Sequence, residues 1–316
     1  MSQTYKYLFG PVASRRLGVS LGIDVVPHKT CSLNCVYCEC GTTTNLTVVR
    51  QEYFPTQDIV DELQSYLHTS PQLDALTFSG AGEPTLHAGF GEIVGFIKQS
   101  YPQYKLVLLT NSTLLDQPDV MEAVQKIDLI IPSLDAASEL VFKKLNRPHR
   151  TLTAETMIRQ LAYLKQHAPV EMWLEIFIVP GLNDTADELA LLKQAVDKIQ
   201  PDRVQINSLD RPPTAQWVKQ ATPEKLREIA RQFSDRAEVI ARFSSAMKVK
   251  ADNHALADAI VQLIKRRPCT IDDLVSTLGH PQSDIEYELK MLMLHKQVQQ
   301  EQLDRGVFYR IVEDFQ

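Results

Sequence analysis

Four of the chain's five cysteines lie within the ten residues CSLNCVYCEC, which occupy positions 31–40. Cysteine thiolates are ligands of zinc and of iron–sulfur clusters, and paired thiols form disulfides in oxidising compartments. Four unliganded thiols in so short a segment would be unusual. The segment therefore predicts a disulfide framework, a zinc site or an iron–sulfur cluster.

The spacing of these cysteines separates the alternatives in part. A structural zinc site usually takes four ligands in two separated pairs, whereas the only cysteine outside the segment is Cys269. Zinc with Cys40 or His28 as an additional ligand stays open. A cluster held by three thiolates would leave one iron for a ligand that is not protein. The C-x₃-C-x₂-C spacing is made by Cys31, Cys35 and Cys38.

Composition limits the class of protein. The chain has 316 residues, 44% of them hydrophobic, and a formal net charge of −6, so bulk charge does not favour nucleic acid. No apolar run approaches the roughly 18 residues of a membrane helix, and the N-terminal segment lacks the apolar core of a secretory signal. We therefore expect a cytoplasmic protein without membrane contact, in a reducing compartment that disfavours disulfides.

Apolar segments alternate with helical patterns along most of the chain. Strands bounded in this way predict an α/β fold with a parallel sheet covered on both faces, either an open sheet or a barrel. The predicted strands are 18–26, 74–80, 105–111, 128–135, 170–179 and 203–210. The predicted helices are near 56–68, 88–99, 118–126, 137–144, 153–167 and 185–199.

The positions of two motifs favour the barrel. The cysteines directly follow the first predicted strand, and the glycine-rich turn SGAGEPTLH, 79–87, follows the second. A β/α barrel carries its chemistry at the carboxyl ends of its strands. Glycines at such an end let backbone approach a ligand closely. Together the two motifs favour an iron–sulfur site over a zinc site.

The pattern changes near residue 250. Helices are predicted at 252–266, 271–278 and 282–295, with Thr270 as an N-cap, and two short strands follow. Three helices and a hairpin predict a winged helix. We place the connector at 243–250, which divides the chain into a barrel over 1–245 and a winged helix over 250–316.

With these motifs in place, the chain resembles the radical S-adenosylmethionine (SAM) superfamily over about residues 8–210. The resemblance implies a partial (β/α)6 barrel with a [4Fe–4S] cluster on the three spaced cysteines and Cys40 left over. It implies that SAM chelates the fourth iron. It also implies an enzyme in which an electron, from a donor such as flavodoxin or ferredoxin, cleaves the C5′–S bond of SAM. The resulting 5′-deoxyadenosyl radical would abstract hydrogen from a substrate.

The resemblance also implies SAM contacts. The glycine-rich turn would lie against the SAM amino group, so a bulky residue at Gly82 should block SAM while sparing the cluster. Asn111 and Asp135 could equally be helix N-caps. Tyr37 and Ile178 would flank the adenine of SAM, although an isoleucine at position 178 is more often a core residue. The implied SAM contacts are Tyr37, Gly80, Ala81, Gly82, Glu83, Pro84, Asn111, Ser133, Asp135 and Asn207.

One branch of the superfamily is especially similar. Five segments resemble proteins grouped with 4-demethylwyosine synthase. They are LFGPVASRRLGVSLGIDVVPHKTCSLNCVYC and, after it, GEPTL, TNSTLL, SLDA and LNRPH. Those tRNA enzymes hold a second cluster with additional upstream cysteines, whereas this chain has no cysteine before Cys31. The resemblance is therefore a better guide to the cofactor than to the substrate. The two substrate classes that it suggests are an RNA base and a peptide. The alternative is a redox-sensing, cluster-bearing binding protein without turnover, but a sensor needs no open iron.

Basic residues suggest an anionic ligand. Arg15, Arg16, Arg211 and the segment KKLNRPHR, 143–150, lie near predicted strand ends. Arginine can fork onto carboxylate or phosphate, which would suit an anionic substrate or the SAM carboxylate. Surface ion pairs explain such residues equally well.

Charge argues against DNA binding by the predicted winged helix. Residues 250–316 contain 8 Lys and Arg against 11 acids, and the helix that would read a groove begins with Asp284, Glu286 and Glu288. We interpret the basic cluster 265–267 as a solvated helix end. A module that packs against the barrel or holds a protein or peptide partner is expected.

Overall fold

A computed structural model of the chain describes residues 5–14, 16–233, 235–240, 256–303 and 306–312. The predicted connector at 243–250 lies outside these residues, as do Arg15 and the first four residues of the helix predicted at 252–266. The division into domains at 245–250 stays a prediction.

The centre of the molecule is an eight-stranded sheet with strand order β1-β2-β5-β6-β7-β8-β9-β10. Every neighbouring pair from β2 to β10 is parallel, and β1 runs antiparallel to β2. The short strands β3 and β4 pair with each other, as do β11 and β12. The strands are β1 Leu8–Ser14, β2 Gly18–Ile23, β3 Thr30–Cys31, β4 Asn45–Leu46, β5 Ala75–Phe78, β6 Lys105–Thr110, β7 Leu129–Pro132, β8 Glu171–Ile178, β9 Arg203–Ser208, β10 Ala237–Val239, β11 Val298–Leu303 and β12 Gly306–Ile311.

The central strands form where the sequence predicts them. All four residues of β5 and all four of β7 are buried, because helices cover both faces of a parallel sheet. The six predicted strands are present, each ending a few residues earlier than predicted. The residues beyond those ends are the loops that carry the predicted site.

Two edge strands were not predicted. β1 contains Pro11, and its register against β2 shifts between Phe9 and Val12, so the strand lacks the regular alternation of a predictable one. β10 has only three residues. Within the described ranges β1 and β10 are the two edges of the sheet, and the partial barrel stays a prediction.

The helices agree closely with prediction, apart from α7, which was not predicted. Side chains of Ser138, Thr153 and Thr185 cap the amino ends of α4, α5 and α6. Within the described residues no helix combines the length and apolar character needed to cross a bilayer. The helices are α1 Thr56–Leu67, α2 Phe90–Ser100, α3 Pro118–Val124, α4 Glu139–Leu145, α5 Ala154–His167, α6 Ala186–Ile199, α7 Pro223–Phe233, α8 Leu256–Arg266, α9 Ile271–Leu278 and α10 Gln282–Leu294.

The C-terminal elements α8, α9, α10 and the β11–β12 hairpin appear in the predicted order and have their own apolar core. Ile285, Leu289 and Leu292 of α10 lie in that core, as their helical spacing predicts. Thr270 and Asp273 form a reciprocal capping box at the start of α9, confirming the predicted N-cap. We call α8 to β12 the C-terminal unit; its identity as a winged helix stays a prediction.

The C-terminal unit contacts the main sheet beside β1. Arg266 of α8 lies 3.3 Å from the Asp24 carboxylate and stacks over the Phe9 ring, with 4.7 Å from the guanidinium carbon to the ring centroid. Arg211, after β9, donates 2.6 Å hydrogen bonds to the Pro268 carbonyl and the Asp273 carboxylate. The interpretation of residues 265–267 as a solvated helix end is therefore wrong for Arg266, because ion pairing turns it inward.

The Arg211 ion pair provides a stability test. Arg211→Met removes the cation facing two poorly exposed carboxylates, Asp273 and Glu39. Leaving such charges uncompensated should lower the free energy of unfolding by about 3 kcal/mol. The control is Arg310→Met, because Arg310 pairs with Glu301 at the surface and should cost less than about 1 kcal/mol. Urea denaturation checks both, and equal losses would mean that the buried pair does not hold the C-terminal unit.

Candidate functional site

The cysteine loop begins at the end of β3 and runs across the carboxyl edge of the main sheet. The backbone N–H of Val36 donates to the Leu145 carbonyl at 2.9 Å, and the Thr214 hydroxyl donates to the Cys38 carbonyl at 2.8 Å. These bonds tie the loop to the end of α4 and to the segment after β9. The loop is therefore fixed by elements far apart in sequence, as a ligand loop must be to keep its thiols in place.

Each of the three spaced cysteines receives a hydrogen bond from a nitrogen donor. The Lys29 ammonium lies 3.0 Å from the Cys38 sulfur, the Asn111 amide 3.4 Å from that of Cys31, and the Asn146 amide 3.4 Å from that of Cys35. Donors to ligand sulfurs stabilise thiolates and tune clusters. This donor set fits an iron–sulfur cluster on the three thiols.

Cys40 differs from the other three. Its thiol donates to the Gly80 carbonyl, with 3.9 Å between the sulfur and the oxygen. The neighbouring Cys40 thiol and the Lys29 ammonium hold the pKa of Cys38 well below its usual range, whereas the Cys38 sulfur and burial raise the pKa of Cys40. Cys40 therefore supports Cys38 as a thiolate. Among the described residues, no three or more His, Cys, Asp or Glu side chains are arranged closely enough to hold a metal ion.

The surroundings of the other two spaced thiols, Cys31 and Cys35, favour the protonated form. Burial, followed by the nearby carboxylate of Glu83, raises the pKa of Cys31 to about 11. Burial is also the main cause that raises the pKa of Cys35, and the Asp135 carboxylate is the second. Binding of a cluster must displace these protons, because the ligand is the thiolate.

The glycine-rich turn packs on the start of the cysteine loop. The Lys29 N–H donates to the Ala81 carbonyl at 2.8 Å, and the Glu83 N–H donates to the Thr30 carbonyl at 3.1 Å. A Cβ on Gly82 would lie 2.3 Å from the Thr30 carbonyl oxygen. Gly82 is thus required by the cysteine loop itself. This contact argues against the expectation that a bulky residue there spares the cluster, and the expectation stays a prediction.

Glu83 anchors the turn from below. Its buried carboxylate accepts hydrogen bonds from the Thr85 N–H and hydroxyl, the Thr110 hydroxyl and the Asn111 N–H. Burial raises its pKa. Pro84 is buried at the start of the short helix Pro84–Leu86. The Glu83 side chain is therefore structural, and the turn presents backbone to the site.

Asn111, after β6, and Asp135, after β7, are not helix N-caps. The Asn111 amide bonds Ser32 at 2.9 Å in addition to Cys31. Asp135 is buried and accepts from the Tyr37 hydroxyl, from the Asn146 amide at 2.8 Å and from the Phe177 N–H at 2.9 Å. Burial raises the pKa of Asp135 to about 6. Both residues organise the cysteine loop, and their direct contact with SAM stays a prediction.

The two residues predicted to lie beside the adenine, Tyr37 and Ile178, have different surroundings. The Tyr37 ring stacks on Phe177 with centroids 4.0 Å apart and planes 11° apart, at the wall of a cavity. Ile178 is fully buried in the core. The alternative that Ile178 is a core residue is therefore confirmed.

Two adjoining cavities lie at this edge of the sheet. The smaller, about 180 Å³, is lined by Cys31, Gly82, Asn111 and Ser133 among others. The larger, about 440 Å³, is lined by Cys38, Cys40, Gly80 and Asn207, among others from the main sheet. Ser133 borders both cavities. Residues of the C-terminal unit that also line the larger cavity are Leu263, Arg266, Arg267, Asp273, Ser276 and Thr277.

The arginines predicted to bind an anion are engaged in ion pairs. Arg16 pairs with Glu175 and donates to Gln205 at 3.1 Å, and Arg211 pairs with Asp273. None of the basic residues in 143–150 is among the side chains lining either cavity. The ion-pair alternative therefore describes Arg16 and Arg211. Sequence reasoning missed Lys29 and Asn146 as donors to sulfur, although both lie in segments quoted above for the resemblance.

A parallel sheet bearing a three-cysteine loop at its carboxyl edge defines the class, and the sequence model of the Radical SAM superfamily matches residues 25–192, more than half of the chain. The chain belongs to this superfamily. A UPF0026 protein of Synechocystis sp. is 35% identical over 213 residues, which are 67% of this chain and 78% of that protein. A UPF0026 protein of Helicobacter pylori is 28% identical over 305 residues, 96% of each chain.

A longer relative, named GTPase Obg, comes from Brachyspira hyodysenteriae. It is 31% identical over 308 residues, which are 97% of this chain, but the chain spans only 45% of that protein's length. Among solved structures, a radical SAM methyltransferase from Sphaerobacter thermophilus aligns with TM-score 0.55 and 15% identity over 70% of this chain and 66% of its own. Streptococcus suis SuiB bound to S-adenosylmethionine aligns with TM-score 0.52 and 13% identity over 71% and 52%. These likenesses show a shared fold.

Proposed function

We propose that this chain is an enzyme that cleaves SAM reductively at a [4Fe–4S] cluster held by Cys31, Cys35 and Cys38. The observation that carries the proposal is the nitrogen donor within 3.4 Å of each of these sulfurs. Membership of the superfamily supports the same assignment.

When bound and reduced, the cluster supplies an electron that splits the C5′–S bond of SAM and yields a 5′-deoxyadenosyl radical for hydrogen abstraction. The chain's own residues bind, orient and shield. Asn111 and Ser133 line the smaller cavity, which suits the amino-acid end of SAM. Tyr37 lines the larger cavity, which suits the adenosine. Residues of the C-terminal unit line that cavity and would help to shield it from water.

The experiment is anaerobic reconstitution of the full chain, followed by dithionite and SAM and detection of 5′-deoxyadenosine. We expect the product in the presence of both reagents and its absence without reductant. A protein that holds a reducible cluster, binds SAM and yet forms no product would instead support the redox-sensing alternative. The reductant in the cell is proposed to be a flavodoxin or ferredoxin, in the cytoplasm.

The substrate class proposed from the 4-demethylwyosine synthase resemblance is an RNA base, with a peptide as the alternative. Mass spectrometry of tRNA and of the proteome from a deletion strain would test both. An unmodified tRNA nucleoside that accumulates in that strain would support RNA, and an unchanged tRNA profile would count against it.

We also propose that the C-terminal unit serves the enzyme's own site or a protein partner and does not bind DNA. Arg266 and Arg267 point to the larger cavity, and α10 begins with the exposed acids Asp284 and Glu286. Phosphates would meet negative charge on that helix. Gel-shift titration of the full chain with duplex DNA at near-physiological salt should show no sub-micromolar binding, and such binding would contradict this assignment.

A further inference from the structure

The roof of the larger cavity comes from the C-terminal unit, and it brings two arginines. Arg266 and Arg267 line the cavity from the end of α8, together with Tyr37 and Cys38 of the cysteine loop and Asn207 of β9. A substrate bound there would therefore touch residues of both parts of the chain.

The arginines of this cavity differ in their partners. Arg16 pairs with Glu175, Arg211 with Asp273, and Arg266 with Asp24. Arg267 is half-buried, and among the described residues its guanidinium has no hydrogen bond or ion pair. Burying a cation without an anion is costly, so a cation in this position is a candidate binding group.

The surroundings of Arg267 increase that cost. The guanidinium of Arg211 is close enough to lower the pKa of Arg267, and burial lowers it further, although Asp273 and Glu39 partly compensate. An incoming anion would relieve this repulsion. A guanidinium matches the geometry of carboxylate or phosphate with two parallel hydrogen bonds.

We propose that Arg267 binds a carboxylate or phosphate group of the substrate in the larger cavity, which makes the substrate a small anionic molecule or an anionic terminal group. The proposal rests on the proposed function of this site. The anionic group would share the larger cavity with the adenosine of SAM, and the cavity volume of about 440 Å³ lies within the range of small-molecule sites. It deepens the sequence expectation of an anionic substrate, with a different arginine as the binding residue.

The SAM carboxylate is the other anion to consider. The smaller cavity, at Cys31, Asn111 and Ser133, includes no residue of the C-terminal unit. Arg267 lies in the larger cavity, which holds Cys38 and Cys40. The arginine is therefore placed for a second ligand and not for the amino-acid end of SAM.

Isothermal titration of the reconstituted full chain with SAM present tests the proposal. The probes are inorganic phosphate and malonate, in chloride of matched ionic strength. We expect binding by the wild-type protein and at least tenfold weaker binding by Arg267→Gln. Arg267→Lys keeps the charge without the fork and should fall between them. Lys265→Gln, an exposed neighbour, is the matched control and should bind as the wild type does.

Whichever of the two anions binds more tightly identifies the group. Absence of specific anion binding by the wild type, or undiminished binding by Arg267→Gln, overturns the proposal. So does an Arg267→Gln protein that weakens SAM binding and leaves the anions unaffected. Cluster content, SAM affinity and melting temperature are measured in the same preparations. A wild type that lacks cluster or SAM binding contradicts the proposed function, while the anion result still decides the role of Arg267.

Discussion

Alanine at Cys31, Cys35 or Cys38 is expected to give a folded protein without brown colour and without 5′-deoxyadenosine production. In the proposed site each thiol is one of three protein ligands, and its replacement leaves a nitrogen donor facing a methyl group. Iron and sulfide content, electron paramagnetic resonance after reduction, and product analysis measure the effect. Product formation should fall to background.

Cys40→Ala is the matched control within the same loop. Its thiol donates to the Gly80 carbonyl and it lies outside the C-x₃-C-x₂-C spacing, so its loss should leave the cluster and product in place. A Cys40→Ala protein that loses the cluster like the other three would make Cys40 a ligand and refute the assignment.

Alanine at Gly82 should cost the protein most of its cluster together with SAM binding. The added Cβ would stand 2.3 Å from the Thr30 carbonyl oxygen and 2.6 Å from a methyl of Val26, and the carbonyl belongs to the backbone next to Cys31. Either the glycine-rich turn or the cysteine loop must therefore move. Iron content and SAM titration of the same sample measure the two losses.

Gly95→Ala provides the comparison. Gly95 lies in α2, and a Cβ there would meet no atom within 4 Å, so alanine should leave cluster and SAM binding unchanged and favour the helix by up to about 1 kcal/mol. If Gly82→Ala retains its cluster and loses only SAM, the turn yields more easily than its contacts indicate, and the original expectation for a bulky residue would be restored.

The parallel sheet was predictable because its strands are continuous apolar segments between amphipathic helices. Strand β1 was not predictable, since Pro11 and the shifted register remove the regular alternation of buried and exposed residues. The three cysteines proposed as ligands could be picked out by their spacing, whereas Lys29 and Asn146 could not, because a donor is recognised only by its distance to a sulfur.

The arginines show the same limit more sharply. Arg16 and Arg211 are the right type of residue at the right end of the sheet, but their partners Glu175 and Asp273 lie 159 and 62 residues away in sequence. Residue type predicts what a side chain can bind, and only the fold decides what it has already bound. Arg267, interpreted from sequence as part of a solvated helix end, instead faces the cavity.

The position of Arg211 limits how this chain can be divided. Its guanidinium lies 3.5 Å from Glu39, which stands between Cys38 and Cys40, and 2.6 Å from Asp273 of α9. A chain cut after β10 would lose Asp273 and the Arg266 partner of Asp24, leaving the sheet's charges uncompensated and the larger cavity without its roof. Exchanging the C-terminal unit for that of a relative would therefore change the electrostatics of the cysteine loop as well as the cavity beside it.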